Sequence, residues 1–129
     1  MKNIQQLFKI AEASMQNAYA PYSKFRVGAA VLADNQKIYG GCNTENISYP
    51  CGTCAEAGAI AAMVADGGRV IKQILIVSDG KTMITPCGAC LQRIKEFSDS
   101  DTEIILTDVE RKFYHYRISD LLPQAFKEF

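Results

Sequence analysis

Apolar residues in the N-terminal segment recur at three- and four-residue steps: Ile4, Leu7, Phe8, Ala11, Met15 and Ala18. That period puts them on one face of a helix. Pro21 ends the helix, because the residue before a proline is pushed out of helical geometry. The pattern then changes. Residues 26–33 (RVGAAVLA) and 37–42 (KIYGGC) predict two strands, and the short turn-forming Asp34-Asn35-Gln36 between them predicts an antiparallel hairpin. Residues 54–66, rich in alanine, predict a second helix stopped by Gly67-Gly68. Residues 71–79 (IKQILIVSD) form an apolar run with β-branched side chains, the mark of a buried strand. A third helix is expected from about Cys87 to Phe97, and a further strand over 102–108 (TEIILTD). Val109-Glu110-Arg111 is a short connection, so 112–118 (KFYHYRI) should return antiparallel. A short last helix holds Leu121 and Leu122.

The expected order is α-ββ-α-β-α-β-β-α. The strand–helix–strand unit over 71–107 favours a parallel, right-handed crossover. These elements assemble into an α/β fold, a three-layer α/β/α sandwich around one mixed five-stranded sheet, as a single domain over residues 1–129. No linker, repeat or low-complexity segment interrupts it.

Composition narrows the functional classes. Fourteen basic residues balance fourteen acidic ones, and no basic stripe offers a footprint for nucleic acid. A small or neutral ligand fits better. The N-terminus, MKNIQQLFKIAEAS, lacks the continuous apolar segment of a signal peptide, and no apolar run is long enough to span a bilayer. A cytoplasmic protein with no membrane partner is expected. Five cysteines in such a chain point to metal or reactive thiols before disulfides.

Three of those cysteines stand at predicted helix starts. Cys54 opens the second helix, and Cys87 and Cys90 occupy the first turn of the third. A helix N-terminus carries about half a positive charge and free N–H groups, which favour the thiolate that binds metal. Cys87 and Cys90, three apart, share one side of a turn. Two Cys-x-x-Cys pairs, Cys51/Cys54 and Cys87/Cys90, allow a closed four-sulfur zinc site. Ribbon-type structural sites, however, separate their pairs by about 15–20 residues in loop-rich folds. Here a helix and a strand intervene, and the core is ample without metal. With Cys51 outside the helix, three sulfurs leave the fourth position open, as catalytic zinc requires. Glu56, on the first turn after Cys54, then has a task. Zinc lowers the pKa of bound water to about 7, and a carboxylate beside the ion can carry the proton. Taken alone, Glu56 would be a residue suited to the helix dipole, and either Cys-x-x-Cys would be ambiguous.

Cys54-Ala55-Glu56 together with Pro86-Cys87-Gly88-Ala89-Cys90 resembles the zinc-dependent deaminase signature. Cysteine as the first ligand looks like the small cytidine deaminases of nucleoside salvage. Ala20-Pro21-Tyr22-Ser23-Lys24-Phe25, Val27-Gly28-Ala29-Ala30, Gly41-Cys42-Asn43-Thr44-Glu45-Asn46, Gln92 and Leu121-Leu122-Pro123 extend the likeness over nearly the whole chain. The resemblance implies hydrolytic deamination of cytidine and 2′-deoxycytidine to the uridine products. One Zn2+ per subunit would be held by Cys54, Cys87 and Cys90. Glu56 would protonate N3 and then the departing amine. Asn43 and Glu45 match sugar-binding residues, Phe25 the aromatic that packs on the base, and Ala55 a backbone contact to the base edge. Tyr49 and Phe126 match positions that reach a neighbouring subunit of a homotetramer.

Two positions depart from the family pattern. Arginine commonly follows the catalytic glutamate and the last zinc cysteine; here these are Ala57 and Leu91. Three thiolates on Zn2+ leave a net negative charge that such an arginine offsets, and partners of metal ligands tune a metal strongly. The helix N-termini, Arg26 or Arg93 are the candidates to replace it. A deaminase of modified cytosines or aminonucleoside antibiotics, and a non-catalytic nucleoside-binding protein, are the competing functions. A polynucleotide-editing enzyme is disfavoured by the balanced charge, since strand binding needs a basic groove. His115 is expected as a satisfied strand residue, Cys42 as a small apolar one, and Cys51 near the metal without ligating it.

Overall fold

The computed structural model describes residues 3–129. Met1 and Lys2, which belong to the segment read above as lacking signal-peptide character, lie outside the described residues. The elements run α1 (Asn3–Gln16), β1 (Val27–Ala33), β2 (Ile38–Cys42), a 3-10 turn at Tyr49–Cys51, α2 (Ala55–Ala65), β3 (Ile71–Ser78), α3 (Gly88–Glu96), β4 (Ser98–Thr107), β5 (Phe113–Arg117) and α4 (Ile118–Leu121). The strands form one sheet in the order β2-β1-β3-β4-β5. β3 and β4 are parallel; the other pairs are antiparallel. The mixed sheet and the parallel crossover through α3 are as expected from sequence.

Alternation along the central strands explains the layers. Ala30, Leu75, Val77 and Ile105 face α1 and pack with Leu7, Ala11 and Met15. Ala29, Val31, Ile74, Ile76, Ile104 and Leu106 face the opposite way, onto Ala59 and Met63 of α2 and Leu91 and Ile94 of α3. A strand covered on both faces must be apolar at successive positions, which is why β3 reads as a continuous run. The hairpin turns are held by their own side chains. Asn35 Oδ1 accepts the Lys37 amide at 3.0 Å and Gln36 adopts φ 69°. Asp108 Oδ1 accepts the amides of Glu110 and Lys112, with Arg111 at φ 66°.

Several boundaries differ from the expectation. α1 stops at Gln16, short of Ala18 and Pro21, because Tyr19 turns away to bridge the loop after β2. Its amide donates to the Asn43 carbonyl and its carbonyl accepts the Glu45 amide. β4 begins at Ser98, well before Thr102. Ser98 pairs with Ile71, and the Thr102 hydroxyl donates to the Ile71 carbonyl at 2.6 Å while accepting the Asp99 amide. Ser98–Asp101 carries no apolar alternation, so nothing in the pattern marks it as strand. Leu122 caps α4 and lies outside it. Cys54 and Cys87 are also outside their helices: each is the N-cap, in extended geometry.

Candidate active site

Gly41 on β2 sets the position of α2. A Cβ there would overlap the amide nitrogen of Ala59 and the carbonyl oxygen of Ala55. Only glycine lets the helix lie this close to the strand. The start of α2 is thereby held against the sheet, with Cys54 as N-cap and Glu56 in the first turn. The crossover brings α3 alongside, with Cys87 as its N-cap and Cys90 in its first turn.

The sulfurs of Cys54 and Cys90 meet between these helix starts. They are in direct contact, as in a disulfide, but their Cα atoms stand 7.7 Å apart. That exceeds the roughly 4.4–6.8 Å usual for a disulfide, whereas two ligands of one ion sit on separate elements without that constraint. A carboxylate oxygen of Glu56 joins them: Cys54 Sγ, Cys90 Sγ and this oxygen all lie within 4.8 Å of one another. Two thiols and a carboxylate converging at the positive ends of two helices form a donor set that fits zinc. Cys87 is exposed and free, and its sulfur is not part of this group. Cys51 is likewise exposed and free, in the 3-10 turn.

Glu56 is only 5% exposed. Burial pushes its carboxyl above the ordinary carboxylate range, against the opposing pull of its own backbone amide and of the Arg93 charge. Arg93 Nη1 lies 3.7 Å from both Cys54 Sγ and Cys90 Sγ. Arg26, the other candidate cation, is engaged elsewhere, with its Nε 2.7 Å from Asp79 Oδ2.

A cavity of about 440 Å³ opens beside Cys54, lined by Tyr22, Ser23, Asn43, Glu45, Tyr49 and Thr53 among others. This is a size suited to a small ligand. Its walls are tied together. Asn43 Oδ1 accepts the Val27 amide and its Nδ2 donates to the Phe25 carbonyl, both at 2.9 Å. One N–H and one oxygen lone pair of that amide remain for a ligand. Glu45 accepts the amides of Tyr22 and Ser23 at 3.0 Å, and the Ser23 hydroxyl also donates to it. The Ser23 hydroxyl comes first among the bonds that hold the Glu45 carboxyl below the ordinary range.

The remaining expected site residues are distributed more widely. Ala55 is fully buried as the first residue of α2. Phe25 is half-buried, packs against the core beside Gly80, and is not among the residues lining the cavity. Tyr49, 75% exposed, lines the cavity and meets the Tyr22 ring edge to face at 6.1 Å. Phe126 is 63% exposed and belongs to a C-terminal segment docked on α3, where Gln92 Nε2 donates to its carbonyl at 2.7 Å. His115 is satisfied, with Nδ1 3.1 Å from Glu103 Oε2. Sequence reasoning singled out no role for Tyr22, Ser23 or Thr53. The first two lay in the quoted Ala20–Phe25 stretch, but only the fold brings them to Glu45.

Comparison with known proteins agrees with this geometry. A family model described as the cytidine and deoxycytidylate deaminase zinc-binding region matches residues 1–106. The chain belongs to this family. A cytidine deaminase of Sporosarcina psychrophila is 39% identical over 126 residues, covering 98% of this chain and 93% of the relative. One of Mycoplasma genitalium is 35% identical, covering 98% and 97%. The crystal structure of cytidine deaminase from Burkholderia pseudomallei superposes with TM-score 0.88 at 38% identity, covering 95% of this chain and 98% of that one. That from Mycobacterium tuberculosis superposes with TM-score 0.83 at 35% identity, covering 96% and 97%. The α/β/α architecture is the one these family members share.

Proposed function

We propose that this chain is a zinc-dependent hydrolase that converts cytidine and 2′-deoxycytidine to uridine and 2′-deoxyuridine with release of ammonia, as in pyrimidine salvage. The observation that carries this is the convergence of Cys54, Cys90 and the buried Glu56, with Cys54 also lining a cavity of a size suited to a nucleoside. Cys54, Cys87 and Cys90 would hold one Zn2+, with Cys87 supplying its sulfur from the N-cap of α3. Bound there, zinc would supply a Lewis acid that makes water nucleophilic near neutral pH.

The chain's own groups do the rest. Asn43 and Glu45 present their remaining hydrogen-bonding capacity to the ribose hydroxyls, and the bonds they make to the Phe25–Val27 and Tyr22–Ser23 backbone fix their orientation. The Ala55 backbone would meet the base edge, and Phe25, which lies outside the cavity lining, would pack on the base from the core side. Glu56 takes a proton from the attacking water, delivers it to N3 of the pyrimidine, and carries the second proton to the amine leaving C4. The balance is one water consumed and one ammonia released. Burial strengthens this role, because a carboxyl pushed upward holds the proton more readily.

The single domain is proposed to act as a cytoplasmic homotetramer in which Tyr49 and Phe126 complete a neighbouring subunit's site. Their exposure, together with that of Tyr22, Ile47 and Phe129, leaves apolar surface suited to such burial. Among the described residues no helix is long and apolar enough to cross a membrane.

The test is uridine and ammonia formation from cytidine by the zinc-loaded protein, with Glu56→Ala alongside. Turnover by the wild type alone, with zinc retained by both, is expected. Zinc-loaded protein that releases no ammonia from either nucleoside would overturn the substrate assignment. Light scattering would report the tetramer.

A further inference from the structure

Three thiolates on one divalent cation leave a net charge of −1, and the site must balance it without a donor at position 57, which is alanine. Arg93 lies three residues after Cys90, on the same side of α3. Its Nη1 is equidistant, at 3.7 Å, from the sulfurs of Cys54 and Cys90. These are ligands from two different elements, so one guanidinium spans the junction between α2 and α3. Among the described residues no other side chain donates a hydrogen bond to either sulfur. Arg26 is drawn off by Asp79. Lys95, the neighbouring cation in the last turn of α3, makes no hydrogen bond to either sulfur.

We propose that Arg93 is a positioning residue that offsets the thiolate charge of the zinc site and fixes Cys54 relative to Cys90, acting on the reaction through those sulfurs. This rests on the zinc-deaminase reading. The physical consequence is directional. A guanidinium bonded to a thiolate lowers the energy of its lone pairs, so the sulfur donates less charge to the metal. Removing it makes the sulfurs stronger donors and the metal a poorer Lewis acid. A general role in helix stability would act instead through the α3 dipole, and Lys95 would share it.

The experiment compares wild type, Arg93→Gln, Arg93→Lys and Lys95→Gln, each loaded with Co2+ for spectroscopy and with Zn2+ for kinetics and chelator competition. The sulfur-to-cobalt charge-transfer band should move to longer wavelength in Arg93→Gln, move less in Arg93→Lys, and stay in place in Lys95→Gln. The kcat of the zinc form should fall by about 10- to 100-fold in Arg93→Gln, the range for lost partners of metal ligands. KM should change little. An unmoved band in Arg93→Gln, or an equal shift in Lys95→Gln, would overturn the proposal. Should Arg93→Gln hold no metal, the band of Arg93→Lys decides by the same criterion. The cobalt spectrum needs no substrate, so it separates failure of this proposal from failure of cytidine as the substrate.

Discussion

Two glycines of the same neighbourhood should respond to alanine in opposite directions. At Gly41 a Cβ would overlap the backbone of both Ala55 and Ala59. Neither is a flexible side-chain end, so relief requires α2 to move away from β2. Overpacking of this kind costs about 1–3 kcal/mol. Gly58 faces the same strand from within α2, but a Cβ there would find its nearest neighbour, Gly41 Cα, at 3.6 Å, an ordinary contact. Gly58→Ala should therefore keep the helix-propensity gain of about 0.5–1 kcal/mol. For a chain of this size, 1 kcal/mol corresponds to roughly 3–6 °C in Tm. Gly58→Ala should melt a few degrees higher with normal zinc content. Gly41→Ala should melt lower and lose activity beyond the loss of folded protein, because the moving helix carries Cys54 and Glu56 away from Cys90. Differential scanning calorimetry, metal analysis and kcat on the folded fraction read all three. Unchanged Tm and full zinc occupancy in Gly41→Ala would refute the claim that this contact places the site.

Asn43→Ala should raise KM for the nucleoside and lower stability by about 1–3 kcal/mol, since it leaves the buried-side Val27 amide and Phe25 carbonyl unpartnered; urea melts and KM measurements check both. The Glu45 carboxyl is held below its unfolded value by Ser23, so the stability it contributes is fully present above the unfolded value. That contribution is lost as pH falls through the lowered folded one, and melting curves of wild type and Glu45→Gln should converge on the acid side. Zinc removal by chelation should abolish turnover while leaving the far-UV circular dichroism nearly intact, because two apolar clusters pack the sheet on both faces without metal contacts. Collapse of the dichroism on chelation would make the metal structural.

Local pattern carried much of this fold. β3 and β4 are legible because central strands covered on both sides must be apolar at successive positions, and the turns at 34–36 and 108–111 because their side chains bond backbone within a few residues. The grouping of Cys54, Glu56 and Cys90 was legible for the same reason: all three are tied to helix starts, which local sequence marks. Ser98–Asp101 was not legible as strand, because its pairing depends on Ile71, distant along the chain. Nor was the early end of α1, which is imposed by hydrogen bonds between Tyr19 and the segment 43–45.

The sequence by itself therefore determined the layers, most of the sheet and the candidates for the metal-binding and acid–base groups. Each follows from short-range periodicity or capping chemistry. Tertiary structure alone decided which cation serves the sulfurs. Arg26 and Arg93 are equivalent on paper; Asp79 captures the first, and the packing of α3 beside α2 delivers the second. It also decided that Asn43 and Glu45 are held by the chain before any ligand arrives. Such partnerships join residues far apart in sequence, where only the folded distances select one donor over another.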